Sequence, residues 1–147
     1  MPAFLPYLNP TEVDRPPTGK GWTHEIKWDG YRAQAHLEKG RATVFTRNGN
    51  DWTARFGPIA GAIERLKVQS AILDGEAVAV AAEGLSDFHE RRRQIDKPRA
   101  RIFYKAFDLL WLDGEDLRRR PWLERARSPC HLAEGGCIGG RIRRTSQ

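Results

Sequence analysis

Cysteine is scarce in this chain of 147 residues: only Cys130 and Cys137, both near the C-terminus. Two thiols so placed cannot staple a fold, which argues against a disulfide framework and for a reducing, cytoplasmic setting. No apolar run approaches the length of a membrane span, so no membrane partner is expected. The opening Met1-Pro2-Ala3-Phe4-Leu5-Pro6 has neither the basic flank nor the apolar stretch of a signal peptide. The four histidines show no metal-ligand spacing, and no segment repeats. What is present is a globular composition, 39% hydrophobic and 30% charged, of a size suited to one domain.

The net charge of +6 is unevenly spread. Up to Glu115 there are 17 basic and 16 acidic residues; from Asp116 onward there are 8 arginines and 3 acids. The body is therefore almost neutral and the C-terminal part basic, as suits unspecific contact with a phosphate backbone.

Prolines and glycines in residues 1–21 (Pro10, Pro16-Pro17, Gly19) forbid a helix and predict an extended lead-in. Loose alternation predicts a strand over Trp22 to Lys27, with a turn at Asp29-Gly30. Tyr31 to Glu38 alternates well, with Ala33, Ala35 and Leu37 on one face, and Lys39-Gly40 predicts a hairpin returning through Ala42 to Thr46. Helical spacing of Phe56, Ile59, Ala60, Ile63 and Leu66 predicts an amphipathic helix within Thr53 to Lys67, its regular part opening at Pro58. Further strands are expected at Ala71 to Val80 and Ile102 to Leu112, with helices opening at Ser86 and Pro121. Periodicity stops after Arg127. The expected class is α+β, an antiparallel sheet with flanking helices.

Four clusters carry candidate chemistry. In Glu25-Ile26-Lys27-Trp28-Asp29-Gly30-Tyr31-Arg32, a lysine at a strand end is followed by an acid, a glycine and an arginine. Such a lysine can be steered onto a phosphate, and it becomes a nucleophile once burial or nearby positive charge lowers its pKa. A lone lysine would read first as an exposed strand residue in a salt bridge, and it is Asp29, Gly30 and Arg32 at the matching positions that favour the nucleophile. Asp74-Gly75-Glu76 puts two carboxylates on one side of an apolar strand. That side either lines a cleft, meeting ribose, metal or Lys27, or is a solvated sheet face. Arg47, in Thr46-Arg47-Asn48-Gly49, stands at a strand-to-turn junction where it can fork onto phosphate oxygens or lie on the surface. Phe107, in Phe107-Asp108-Leu109-Leu110, can stack on a purine or fill the core.

In this order and with these spacings, the segments resemble the adenylation (nucleotidyltransferase) domain of ATP-dependent DNA ligases, with the bacterial ligases of end joining and repair the nearest likeness. Ser86-Asp87-Phe88, Asp113-Gly114 and the lead-in with Phe4-Leu5-Pro6 fit the same pattern, and the likeness runs over roughly residues 3 to 125. The resemblance implies ATP and Mg2+ as cofactors and nicked or broken double-stranded DNA as partner, alongside other repair proteins. It implies that Lys27 attacks the α-phosphorus of ATP and carries AMP. By the same resemblance Glu25 sits by the adenine, Arg32 and Arg47 hold ribose and phosphate, Glu76 contacts ribose or places magnesium, and Phe107 stacks on the base.

The family's later lysine-bearing strand motifs and its oligonucleotide-binding domain have no counterpart here, and Lys105 is the last lysine. The expected organisation is thus a lead-in (1–21), a partial adenylation domain (22–127) and a divergent, disordered tail (128–147), a truncated form with weak or no stand-alone activity. Two other readings stay open: a non-catalytic, basic DNA-binding remnant, and an RNA ligase or capping-type nucleotidyltransferase sharing the lysine motif.

Overall fold

Alternation and turn chemistry place five strands in one antiparallel sheet. The computed structural model describes residues 1–8, 10–25, 27–80 and 101–126. Its strands are β1 (Tyr31–Glu38), β2 (Arg41–Thr46), β3 (Ser70–Val80), β4 (Arg101–Leu112) and β5 (Glu115–Asp116), in the order β2-β1-β3-β4-β5. One helix, α1 (Gly57–Ile63), lies between β2 and β3, and a further helical stretch covers 122–126. None of the described helices is long and apolar enough to cross a membrane. The helix expected at Ser86 and the tail from 128 fall outside the described residues.

The hairpin forms where the turn residues predict. Lys39 and Gly40 both have positive φ, 50° and 77°. Two such residues in a two-residue connection match the right-handed twist of the strands they join. Asp113 and Gly114 (φ 43° and 98°) turn β4 into β5 in the same way. The Asp113 carboxylate also accepts from the backbone N–H groups of Gln69 and Ser70, both at 2.8 Å, which ties that turn to the start of β3.

α1 covers one face of the sheet. Pro58 stands in its first turn, where a missing N–H costs nothing. Ile59, Ala60 and Ile63 point inward, and with Phe56 they pack on Ala33, Ala35, Leu37, Val44, Leu73 and Leu109. The helix is shorter than its periodicity predicts. The chain from Thr53 to Phe56 is turn, and the helix ends at Ile63, with the Glu64 carboxylate accepting from the Ala42 N–H at 3.1 Å.

The opposite face is buried by the lead-in. The Leu5 N–H donates to Gln34 Oε1 at 2.9 Å, and Gln34 Nε2 donates back to the Leu5 carbonyl at 3.1 Å. Phe4 packs edge-on against Phe45, with ring centroids 5.9 Å apart. This is why Gln34 and His36, polar and on the face away from α1, are nonetheless buried.

One expected element is absent. The described residues between Trp22 and Asp29 form no strand. Their alternation is loose, positive φ at Gly19 and Gly21 turns the chain before them, and Glu25, Lys27, Trp28 and Asp29 line an open cavity in place of pairing with a neighbour. Lys27 therefore sits on a loop leading into β1, not at a strand end.

Candidate functional site

Sheet register sets up the site. Ala33 pairs with Thr46, Arg32 with Glu76, and Glu76 with Lys105. This brings the end of β2, the start of β1, the middle of β3 and β4 into one row. A cavity of about 810 Å³ opens over that row, within the range of ligand pockets. Glu25, Lys27, Arg32, Arg47, Glu76 and Phe107 all contribute to its walls.

Gly30 makes the approach between the Lys27 loop and β3 possible. A Cβ there would stand 2.2 Å from the Ala77 carbonyl oxygen. Without one, the Gly30 N–H reaches Glu76 Oε1 at 3.0 Å and fixes that carboxylate. The need for glycine here is close contact, because Gly30 has no positive φ. Gly75 serves a similar purpose at a bulge in β3, where a Cβ would meet the Lys105 carbonyl at 2.5 Å and the Tyr104 ring at 2.8 Å. The buried Tyr104 hydroxyl donates there, 3.0 Å from the carbonyls of Ala33 and Leu73.

Arg32 is the most heavily held group in the site. Its Nε and Nη2 donate to the two oxygens of Asp74 at 2.8 and 2.6 Å. Its guanidinium lies over the Phe107 ring at 4.4 Å and over the Tyr7 ring at 5.1 Å. Burial pushes the Asp74 carboxyl up and the Arg32 hydrogen bonds pull it back. Asp74 therefore meets Arg32, which was not among the partners expected for it, and only Glu76 of the pair lines the cavity. One face of Phe107 is covered by Arg32, so a base stacking on that ring would take its other face or displace the arginine.

Lys27 departs from expectation. Its side chain is 88% exposed, and Nζ pairs with Asp29 Oδ1 at 2.8 Å. That hydrogen bond raises its pKa, the opposite of what a nucleophilic amine needs. Burial pushes Glu25 up, and the neighbouring Asp108 adds to it. Burial likewise raises Glu76, against the pull of the Gly30 N–H. Asp108, behind the row, is raised to about 6 by burial, opposed by Arg125 at 2.9 Å.

Two cavity residues escaped sequence reasoning. Trp52 stands between Tyr31 and Phe56 (centroids 5.5 and 5.7 Å) with the Arg55 guanidinium 4.4 Å above it. Nothing local signals this, since Trp52 follows a turn cluster. Tyr7 sits in the lead-in, where two aromatics, Phe4 and Tyr7, among prolines are the available hint. No group of three or more metal-ligating residues occurs among the described residues. Glu76 is a single carboxylate with one oxygen engaged by Gly30, which fits Mg2+ carried in on nucleotide phosphates better than a protein-built cage.

An antiparallel sheet with a nucleotide-sized cavity over a Lys-x-Asp-Gly-x-Arg loop defines a nucleotidyltransferase-like class. Residues 12–128 match the ATP dependent DNA ligase domain family, and the chain belongs to that family. It is 39% identical over 119 residues to the multifunctional non-homologous end joining protein LigD of Pseudomonas aeruginosa, covering 80% of this chain and 14% of that protein. A DNA ligase of Pyrobaculum calidifontis is 37% identical over 122 residues, covering 76% of this chain and 21% of the relative. Among solved structures, a mycobacterial DNA ligase D complexed with ATP and MES superposes with a TM-score of 0.58 at 30% identity. That match covers 71% of this chain and 34% of the solved one. The chain thus spans about a third or less of the lengths of these proteins.

Proposed function

We propose that this chain carries out the adenylation half of a DNA ligase reaction, with Lys27 accepting AMP from ATP. In that step the Lys27 amine, having lost a proton, bonds to the α-phosphorus. The bond to the β-phosphate breaks and pyrophosphate leaves. In-line displacement of this kind depends on positioning and on neutralising phosphate charge. The observation that carries the reading is the cavity itself. Its walls bring together Lys27, Arg32 and Arg47, which can meet ribose and phosphate, the carboxylates of Glu25 and Glu76, and the Phe107 ring. Glu25 is assigned to the adenine, Phe107 to stacking on the base, and Glu76 to ribose or Mg2+; bound magnesium would supply positive charge near the phosphates. Nicked or broken duplex DNA is the proposed acceptor of the AMP, and other repair proteins are proposed partners.

The raised pKa of Lys27 supports weak stand-alone activity, because the amine is an ammonium held by Asp29 until a ligand rearranges it. It equally favours the second reading, a basic DNA-binding protein without catalysis. Incubation with Mg2+ and α-labelled ATP decides between them. Label that survives denaturation and is lost in Lys27→Ala supports adenylation. No label, with DNA binding intact in Lys27→Ala, supports the second reading. Transfer from labelled GTP in place of ATP would point to a capping-type enzyme.

A further inference from the structure

We propose that Tyr7 is a positioning residue of this cleft: the lead-in brings its ring onto Arg32 and so sets the guanidinium for the ligand. The inference rests on the nucleotide reading above and extends it to the lead-in, ahead of the family match over residues 12–128.

A guanidinium offers five N–H groups in one plane. Asp74 takes one from Nε and one from Nη2. Phe107 lies at 4.4 Å and Tyr7 at 5.1 Å, so the remaining freedom, rotation out of the plane, is opposed by two rings. The N–H groups not used by Asp74 are what Arg32 can present to the cavity that it lines. An arginine fixed in this way gives up less conformational entropy when it forks onto an anion.

Tyr7 is itself held firmly. Two hydrogen bonds join Leu5 to Gln34, and the Phe4 ring meets Tyr7 edge-on with centroids 5.6 Å apart. The Tyr7 hydroxyl is buried and has no hydrogen-bond partner. Its place is therefore set by ring packing, and the ring carries the effect on Arg32. Tyr7 and Leu8 also form part of the cavity wall.

The test is a double-mutant cycle on binding of an α,β-methylene ATP analogue with Mg2+, measured by calorimetry on the full chain, with Tm followed for every variant. Tyr7→Leu, which leaves the Leu5–Gln34 bonds in place, is expected to weaken binding roughly tenfold. Tyr7→Phe, which keeps the ring, restores binding to within about twofold of the parent. In an Arg32→Gln background, Tyr7→Leu has no additional effect, because its influence runs through the arginine. Full-strength binding by Tyr7→Leu, or equal losses in both backgrounds, would overturn the proposal. Should the parent bind no analogue, the nucleotide reading fails, and hydrogen exchange at the Arg32 Nε–H, read by NMR, decides the matter. Exchange faster in Tyr7→Leu than in Tyr7→Phe upholds the positioning role, and equal rates refute it.

Discussion

The two faces of the sheet are made from the same strands and held by different means. Under α1 the contacts are apolar and nearly continuous, from Leu37 and Val44 through Phe56, Ile59 and Ile63 to Leu109. On the other face, burial comes from a lead-in without regular structure, and beside Phe45 the groups it covers are polar: Gln34, His36 and the Arg32 guanidinium. The first face owes its stability to area removed from water, which tolerates small shifts. The second depends on directional bonds, each costly to leave unmade. A site that must place charged side chains around a ligand needs the second kind of surface and the first kind behind it.

The sharpest way to break this comparison is to damage the apolar face alone. Phe56 is fully buried, and Phe56→Ala is expected to lower stability by about 3–5 kcal/mol, measured by urea unfolding. Loss of that size from a domain with so short a helix should unfold much of the population at 37 °C and remove ATP labelling with it. If labelling per folded molecule dropped while stability held, the division between supporting and functional faces would be wrong.

Gly30→Ala tests the other side. The added Cβ meets a backbone oxygen of β3 and not a flexible side chain, so the Lys27 loop must lift away. The Gly30 N–H then leaves Glu76, while the α1 core stays intact. Labelling by ATP should fall at least about tenfold, with stability lowered by only about 1 kcal/mol. Equal damage to both would mean that the loop is part of the core in disguise.

These contrasts follow what the sequence could and could not disclose. The Tyr31–Thr46 hairpin, the bounds of β3 and β4 to within a residue, and the start of α1 beside Pro58 were legible because alternation and turn residues act within a few positions. Membership of the ligase family was legible in the ordered motifs. The contacts that build the site were not, because they join distant positions: Leu5 to Gln34, Gly30 to Glu76, Arg32 to Asp74 and Phe107. The strand expected over Trp22 to Lys27 failed for a related reason. Alternation reports which face a side chain would take, but a strand also needs a neighbour, and this segment borders the cavity. For Lys27 the motif gave the residue but not its exposure, nor its pairing with Asp29.

A third contrast concerns pH, because the covered histidine and carboxylates lie on the face away from α1. Burial lowers the His36 pKa to about 4 from an ordinary 6.5. Neutral His36 accordingly donates from Nε2 to Gln34 Oε1 at 2.8 Å, since an amide oxygen can only accept. The unfolded chain binds this proton first, so the stability due to His36 is complete above pH 6.5 and is lost as pH falls toward about 4. Asp108 acts in the opposite sense: its folded pKa is raised to about 6, so protonation below that value favours the native state. A single denaturation profile would mix the two. The difference between parent and His36→Phe isolates the first, because phenylalanine does not titrate while the Asp108 contribution cancels. That difference should be constant above pH 7 and should move against the parent between pH 6.5 and 4. A flat difference across this window would mean that the lead-in does not keep His36 from water.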